Sequence, residues 1–412
     1  MFPFGDARDW FSARRFGLFI HWGLYALNAW QEQDQWRRQI PRAEYERLAQ
    51  RFNPVQFDPE AWLDVAEESG MEYVCFTTKH HDGFCLWDTA QTDYQIMNTP
   101  YGQDVLRKLA DACQRRGMPL CLYYSVADWH HPNYPNQRRS HELAGPEPGD
   151  EPDLDRYLQF LTAQVRELCT QYGPIHGFWW DMNVTGVVDP SINQMIRELQ
   201  PQAVINNRGF DNGDFGTPER DFVADEARVF AQRTEACQSV GRESWGYREH
   251  EDYYSDLHLM RSIDRALAKG GNYLLNVGPT AEGALPDEAV AILRRVGAWY
   301  NTIKEAFGDA QPASGKTDNP DVLLTERGSK LFVHLHREPS TRRVLLRPID
   351  RMPRNATLLN TGAPVMFRSD PLPTLHMDGQ GLLAEGKKEY LRLVDLPVND
   401  LPGEVLVVKL EF

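Results

Sequence analysis

Thr77-Thr78-Lys79-His80-His81-Asp82-Gly83 and Gly177-Phe178-Trp179-Trp180-Asp181 each end an apolar, β-favouring run on residues able to do chemistry. A strand buried on both faces of a parallel sheet reads as a continuous apolar run. In a (β/α) barrel the reactive groups stand at the C-terminal ends of such strands. Asp181 is therefore expected to be a carboxylate at a barrel mouth, framed by indoles. A sugar pocket is built that way, from aromatic faces for the ring's C–H side and a few placed polar groups for its hydroxyls.

Outward from these stretches, strand-like and helix-like segments alternate to about residue 310, which predicts a parallel α/β architecture. Strands are expected at 16–22, 73–79, 119–126, 175–181, 203–207 and 272–277. Helices are expected at 54–69, 105–116, 154–172, 191–199, 253–269 and 286–305. Residues 128–153 form a polar, Pro-rich loop too long for a simple connector. Residues 209–216 read as loop, and no pattern is legible from there to 253. After about 311 the character changes to short β-rich runs at 321–325, 330–336, 343–348, 356–360, 390–394 and 403–412, separated by Pro, Asn, Asp and Gly. The expected organisation is an α/β TIM barrel over residues 1–310 followed by a small all-β sandwich over 311–412.

Length and composition agree: 412 residues, 42% hydrophobic and 25% charged, fit one barrel plus a smaller module. A net charge of −15 without a basic run argues against a nucleic-acid partner. No stretch reaches the ~18–20 apolar residues of a membrane span, so no membrane partner is expected. The N-terminus shows no basic segment followed by an apolar one. The six Cys (75, 85, 113, 121, 169, 237) have no CxxC spacing and read as buried free thiols in a reducing compartment, so the expected location is cytoplasmic. All eleven Trp lie in the barrel half, a clustering that sugar binding explains better than core packing alone.

Asp181 is the candidate nucleophile; a helix N-cap is the plainer reading of an Asp after a strand. By period two, Trp179 points to the same side and could wall the same cavity. His80 and His81 are adjacent, lack metal-ligand spacing and have no nearby Cys or Glu partner, so hydrogen bonding to sugar hydroxyls is preferred over zinc. His21, closing Phe19-Ile20-His21-Trp22-Gly23, could do the same. One of Tyr123 and Tyr124 should face inward, and Trp36 would be a costly exposed indole unless covered. The acid/base is open: Glu219, Glu226, Glu235, Glu243 and Glu249 all fall between 210 and 250, and neither propensity nor spacing separates Glu235 from Glu243.

The segments at 16–25 (FGLFIHWGLY), 77–87 (TTKHHDGFCLW), 122–129, 178–181, 244–247 (SWGY) and 269–279 (KGGNYLLNVGP) together resemble the α-L-fucosidases of glycoside hydrolase family 29, in consistent order from about 10 to 310. The β-rich tail resembles that family's C-terminal sandwich. The resemblance implies a (β/α)8-like barrel and net retention through a fucosyl-enzyme intermediate. It implies Asp181 as nucleophile, Glu235 as acid/base, and His21, Trp36, His80, His81, Tyr123, Trp179 and Trp245 as pocket residues. Gln35 stands where a Glu usually precedes the pocket Trp, and Met182 where Gly commonly follows the nucleophile. The expected substrate is a fucosylated oligosaccharide or glycoconjugate, with no cofactor or metal required. The alternatives are a silent fucose-binding protein, a retaining hydrolase of a related sugar such as L-galactose, and, last, a metal hydrolase using His80 and His81.

Overall fold

A computed structural model describes residues 3–220, 227–371 and 389–412. Seven parallel strands, β1 (Phe16–Ile20), β2 (Val74–Lys79), β3 (Leu120–Ser125), β4 (Gly177–Asp181), β5 (Val204–Ile205), β6 (Glu235–Ser239) and β7 (Asn272–Val277), lie in the order β5-β4-β3-β2-β1-β7-β6. The sheet curls until its edges meet. Residues 215–219 close the gap through isolated parallel bridges, Asn206 to Phe215 on the β5 side, and Gly216 to Thr234 and Glu219 to Cys237 on the β6 side. The result is an eight-staved barrel whose last stave is three bridges rather than a ladder.

Period two sorts the side chains. Phe19, Tyr73, Cys75, Cys121, Tyr123, Trp179, Cys237 and Leu274 fill the inside as one cluster with Phe11, Val204 and Phe215. Their neighbours, among them Leu18, Ile20, Val74, Phe76, Leu122, Phe178 and Leu275, face out against the helices. Strands buried on both faces are apolar throughout, which is why those runs were legible. The helices Pro59–Glu68, Val105–Arg116, Leu154–Gln171, Pro190–Leu199 and Asp256–Ala268 each begin on an Asp or Ser whose side chain accepts a first-turn N–H, a cap whose loss costs about 1 kcal/mol. The helix Asp287–Ile303 completes the layer.

Two of the quoted motifs meet in space. A Cβ on Gly278 would fall 2.3 Å from the Gly246 carbonyl carbon, so only glycine lets the 244–247 turn lie across the end of β7. Beyond the barrel, β8 (Gln311–Pro312), β9 (Leu323–Arg327), β10 (Lys330–His334), β12 (Asn355–Leu358) and β15 (Val407–Glu411) form one antiparallel sheet, and β11 (Val344–Leu345), β13 (Met366–Pro371) and β14 (Glu389–Val394) a second. Their inner faces share a core of Leu324, Val333, Leu346, Leu391, Leu393 and Val408. This sandwich is keyed to the barrel by Trp299 Nε1 donating to the Val405 carbonyl (2.9 Å) and by the buried contact of His334 with Asp264 (2.7 Å). Among the described residues no helix is long and apolar enough to cross a membrane.

The stretch from 209 to 253, read as loop to 216 and without a legible pattern beyond, contains β6 and the eighth stave. β6 reads Glu-Ala-Cys-Gln-Ser because its inward positions carry polar groups and its outward Gln238 accepts from Ser262. No apolar run marks it.

Candidate active site

Asp181 ends β4 with its carboxylate clamped from three sides. Tyr123 Oη donates to Oδ2 (2.8 Å), Arg208 Nη1 to Oδ1 (3.1 Å), and the Met182 N–H to Oδ1 (3.0 Å). Met182 itself stands at φ +53°, a left-handed backbone that a side chain normally avoids. Burial opposes ionisation of Asp181, but the Arg208 guanidinium and the Tyr123 hydroxyl outweigh it and hold the carboxyl below its ordinary value. Arg208 is itself fixed: Nε and Nη2 donate to the Thr217 hydroxyl and carbonyl (both 2.6 Å), its plane lies 4.7 Å over the Trp179 ring, and Nη1 also meets Glu219.

The imidazoles are neutral, and neighbours set the tautomers of His21 and His81. Asn276 Nδ2 donates to the Trp245 carbonyl (2.7 Å), which turns Oδ1 toward His21 Nδ1 (2.7 Å). His21 therefore donates there and offers Nε2 as an acceptor. Ser125 donates to the Ala127 carbonyl (2.6 Å) and so accepts from His81 Nδ1 (2.7 Å), leaving His81 Nε2 as an acceptor 3.9 Å from Asp181. Burial pushes His21 down to about 3, His81 to about 4, and His80 well below its ordinary value. Neutral acceptors at a pocket wall suit hydroxyl groups. Among the described residues no group of three or more His, Cys, Asp or Glu is arranged to hold a metal.

One cavity of about 160 Å3 gathers Asp181, His21, His80, His81, Tyr123, Trp179 and Trp245. It is smaller than the ~300–1,000 Å3 of a drug-sized site, the scale of one monosaccharide. Phe19, Glu32, Gln33, His141 and Arg208 also line it without having been singled out in the sequence, and so does Glu219, one of the five glutamates left open as acid/base. Glu32 is buried, with Oε2 accepting from the Ser244 hydroxyl (3.0 Å) and the Trp245 N–H (2.9 Å) and Oε1 without a partner. A pocket carboxylate is thus present although Gln35 replaces the expected Glu. Trp36 does not line this cavity. It stacks on His141 (4.8 Å, 20°) and faces a neighbouring groove with Ile40 and Leu143, because the short helix Asp34–Arg37 turns it outward.

Glu235 also lies elsewhere. It is the first residue of β6, two positions below Cys237, which lines the cavity, and is buried in the barrel interior with Tyr73 Oη donating to Oε1 (2.7 Å) and Trp179 Nε1 to Oε2 (3.0 Å). It does not line the cavity and has no route to a leaving group there. Glu219, on the eighth stave and partly exposed, does. Glu226 lies outside the described residues. Glu243 is exposed, with its N–H bound to Glu251. Burial pushes the Glu235 carboxyl up to about 7, with the Tyr73 and Trp179 hydrogen bonds offsetting part of the rise. The folded state then favours the proton, so stability falls as pH rises from the unfolded value near 4.5 through 7. E235Q, an amide that cannot ionise, should stabilise the fold by about 3 kcal/mol above pH 7 and by little at pH 4. Thermal unfolding at the two pH values measures this; an equal effect at both would overturn it.

The α-L-fucosidase family model matches residues 5–305. The α-L-fucosidase of Dictyostelium discoideum is 27% identical over 74% of this chain and 72% of its own length. Bovine tissue α-L-fucosidase is 26% identical over 96% and 86%. Among solved structures, α-L-fucosidase isoenzyme 1 from Paenibacillus thiaminolyticus superposes with a TM-score of 0.82 at 33% identity, covering 98% of this chain and 99% of its own. A Bacteroides thetaiotaomicron enzyme, trapped as a covalent intermediate with 2-fluoro-fucosyl fluoride in a glutamate-to-glutamine mutant, gives 0.80 at 27% identity, covering 99% and 97%.

Proposed function

We propose, from the premise that this chain belongs to the α-L-fucosidase family and is a glycoside hydrolase, that it removes single terminal α-L-fucosyl residues with retention of configuration. Asp181 attacks the anomeric carbon while Glu219 protonates the departing oxygen; Glu219 then takes a proton from the water that releases fucose. The observation that carries retention is the shared nitrogen. Arg208 Nη1 contacts both carboxylates, which keeps the two groups close together on one side of the cavity. Retaining pairs stand ~5–5.5 Å apart and inverting pairs ~6.5–9.5 Å. The cavity's size supports exo action on one sugar, with His21, His80, His81 and Glu32 supplying polar contacts and Phe19, Trp179 and Trp245 apolar ones for a 6-deoxy sugar. Six buried, unpaired thiols support action in a reducing, cytoplasmic compartment.

Proton NMR of the hydrolysis of an aryl α-L-fucoside tests the stereochemistry. The α-anomer of fucose should appear first; β-fucose first would overturn retention. A second measurement concerns pH. Asp181 must be ionised to attack, and Arg208 is the largest of the groups that favour its anion. In Arg208→Met the carboxyl should rise, so the acid limb of kcat/KM moves to higher pH. An unmoved acid limb would remove Arg208 from that role.

A further inference from the structure

Beneath the cavity floor lies a carboxyl that the displacement does not use. We propose that Glu235 is a positioning residue for Asp181, acting through Trp179, whose indole it anchors so that Tyr123 and Arg208 hold the nucleophile in line; this rests on the fucosidase reading. Trp179 is the surface on which both clamps lie. Tyr123 stacks on it at 5.8 Å and 19°, and the Arg208 guanidinium sits 4.7 Å above it. Both then reach Asp181, one on each oxygen. The indole's only polar atom is its N–H, and Glu235 Oε2 receives it at 3.0 Å. Without that bond the ring keeps only apolar and stacking contacts, Phe19 (5.3 Å) among them, none of which is directional in the ring plane.

Glu235 is itself located by a built contact. Tyr73 Oη donates to its other oxygen, and the Tyr73 ring fits only because β1 places Gly17 there, where a Cβ would fall 2.7 Å from the ring. The titratable groups facing Glu235 are Tyr73 just before β2, Cys75 from β2, Cys121 from β3 and Cys237 from β6. None is a cation. A carboxyl in such a place costs desolvation that an apolar residue would avoid, and what it provides is two hydrogen bonds, one of them to the platform of the nucleophile's clamps. An amide can reproduce both. Its oxygen accepts from Trp179, its NH2 donates to Tyr73 Oη, and the Tyr73 proton turns to Asn272 Oδ1, a buried acceptor otherwise without a partner.

The test is a double-mutant cycle with rescue, using 4-nitrophenyl α-L-fucoside and the full chain. E235Q should keep kcat within a few-fold of wild type. E235L should lower kcat by about 10–100-fold, the range a displacement near 1 Å produces, with a smaller change in KM. W179F keeps a ring but has no N–H, and E235L/W179F should be no slower than W179F alone. Additive losses, or E235L with wild-type kcat and only a lowered Tm, would overturn the proposal and leave Glu235 structural. Wild-type turnover checks the fucosidase reading separately. Should wild type be inert on the fucoside, binding of a fucose-configured iminocyclitol followed by tryptophan fluorescence gives the same cycle. There E235L should weaken binding at least tenfold and E235Q should not; equal binding would overturn the proposal.

Discussion

Asp181→Gly should lower kcat for an aryl α-L-fucoside by on the order of 10^4-fold or more, the loss that follows removal of a group acting in a covalent step. The clamp makes the expectation sharp. Tyr123, Arg208 and the Met182 N–H are all aimed at the carboxylate, and no other acid among the cavity residues is held by Tyr123 and Arg208 together. Removing it leaves a space beneath the anomeric carbon. Azide entering that space attacks once, with inversion, and the product should be β-L-fucosyl azide. A residual rate within a hundredfold of wild type, or no azide product, would mean that Asp181 is not the nucleophile.

Glu219→Gly should cost about 10^2–10^4-fold on substrates whose leaving group needs a proton and far less in the fucosylation step with fucosyl fluoride, which needs none. The fucosyl-enzyme still forms on Asp181, so azide should intercept it from the opposite face and give α-L-fucosyl azide. The two azide products separate the roles without reference to any pKa. E235Q in the same assay should give no azide product above wild type. If Glu235→Gly yielded the α-azide and Glu219→Gly did not, the assignment drawn from cavity geometry would be reversed.

The sequence makes legible what was double-sided. Strands such as Phe16–Ile20 and Val74–Lys79 are apolar on both faces, and their chemistry stands out where the run stops, so Asp181, His21, His80 and His81 were found. The helix Val105–Arg116 was expected at its observed bounds because Gly117 ends it, and the structure adds the Asp104 side chain as its N-cap. Glu219 was not chosen because its stave has no run to end: three bridges leave no hydrophobic signature. Glu235 was put forward as acid/base through the family resemblance, because no strand was legible around it to show at which end it lies. From spacing alone a carboxyl at the bottom of a strand looks like one at the top. Glu32 and His141 enter the cavity from loops, and only folding brings them to it. Trp36 was a correct warning that an indole needed cover, but the cover is His141 rather than the cavity.

The stave that closes the barrel has a consequence for how the two proposed catalytic carboxylates, Glu219 and Asp181, differ in motion. Asp181 sits on a strand laddered to β3 along its length, so opening it means breaking a cooperative run of bonds. Glu219 rides on a segment joined by single bridges, and local opening free energies follow such bonding. Amide hydrogen exchange should therefore be faster at 216–219 than at 177–181. Asp181 is anchored on a laddered strand, while Glu219 sits on the seam held by single bridges. From there a small breathing motion could serve both the outgoing oxygen and the incoming water.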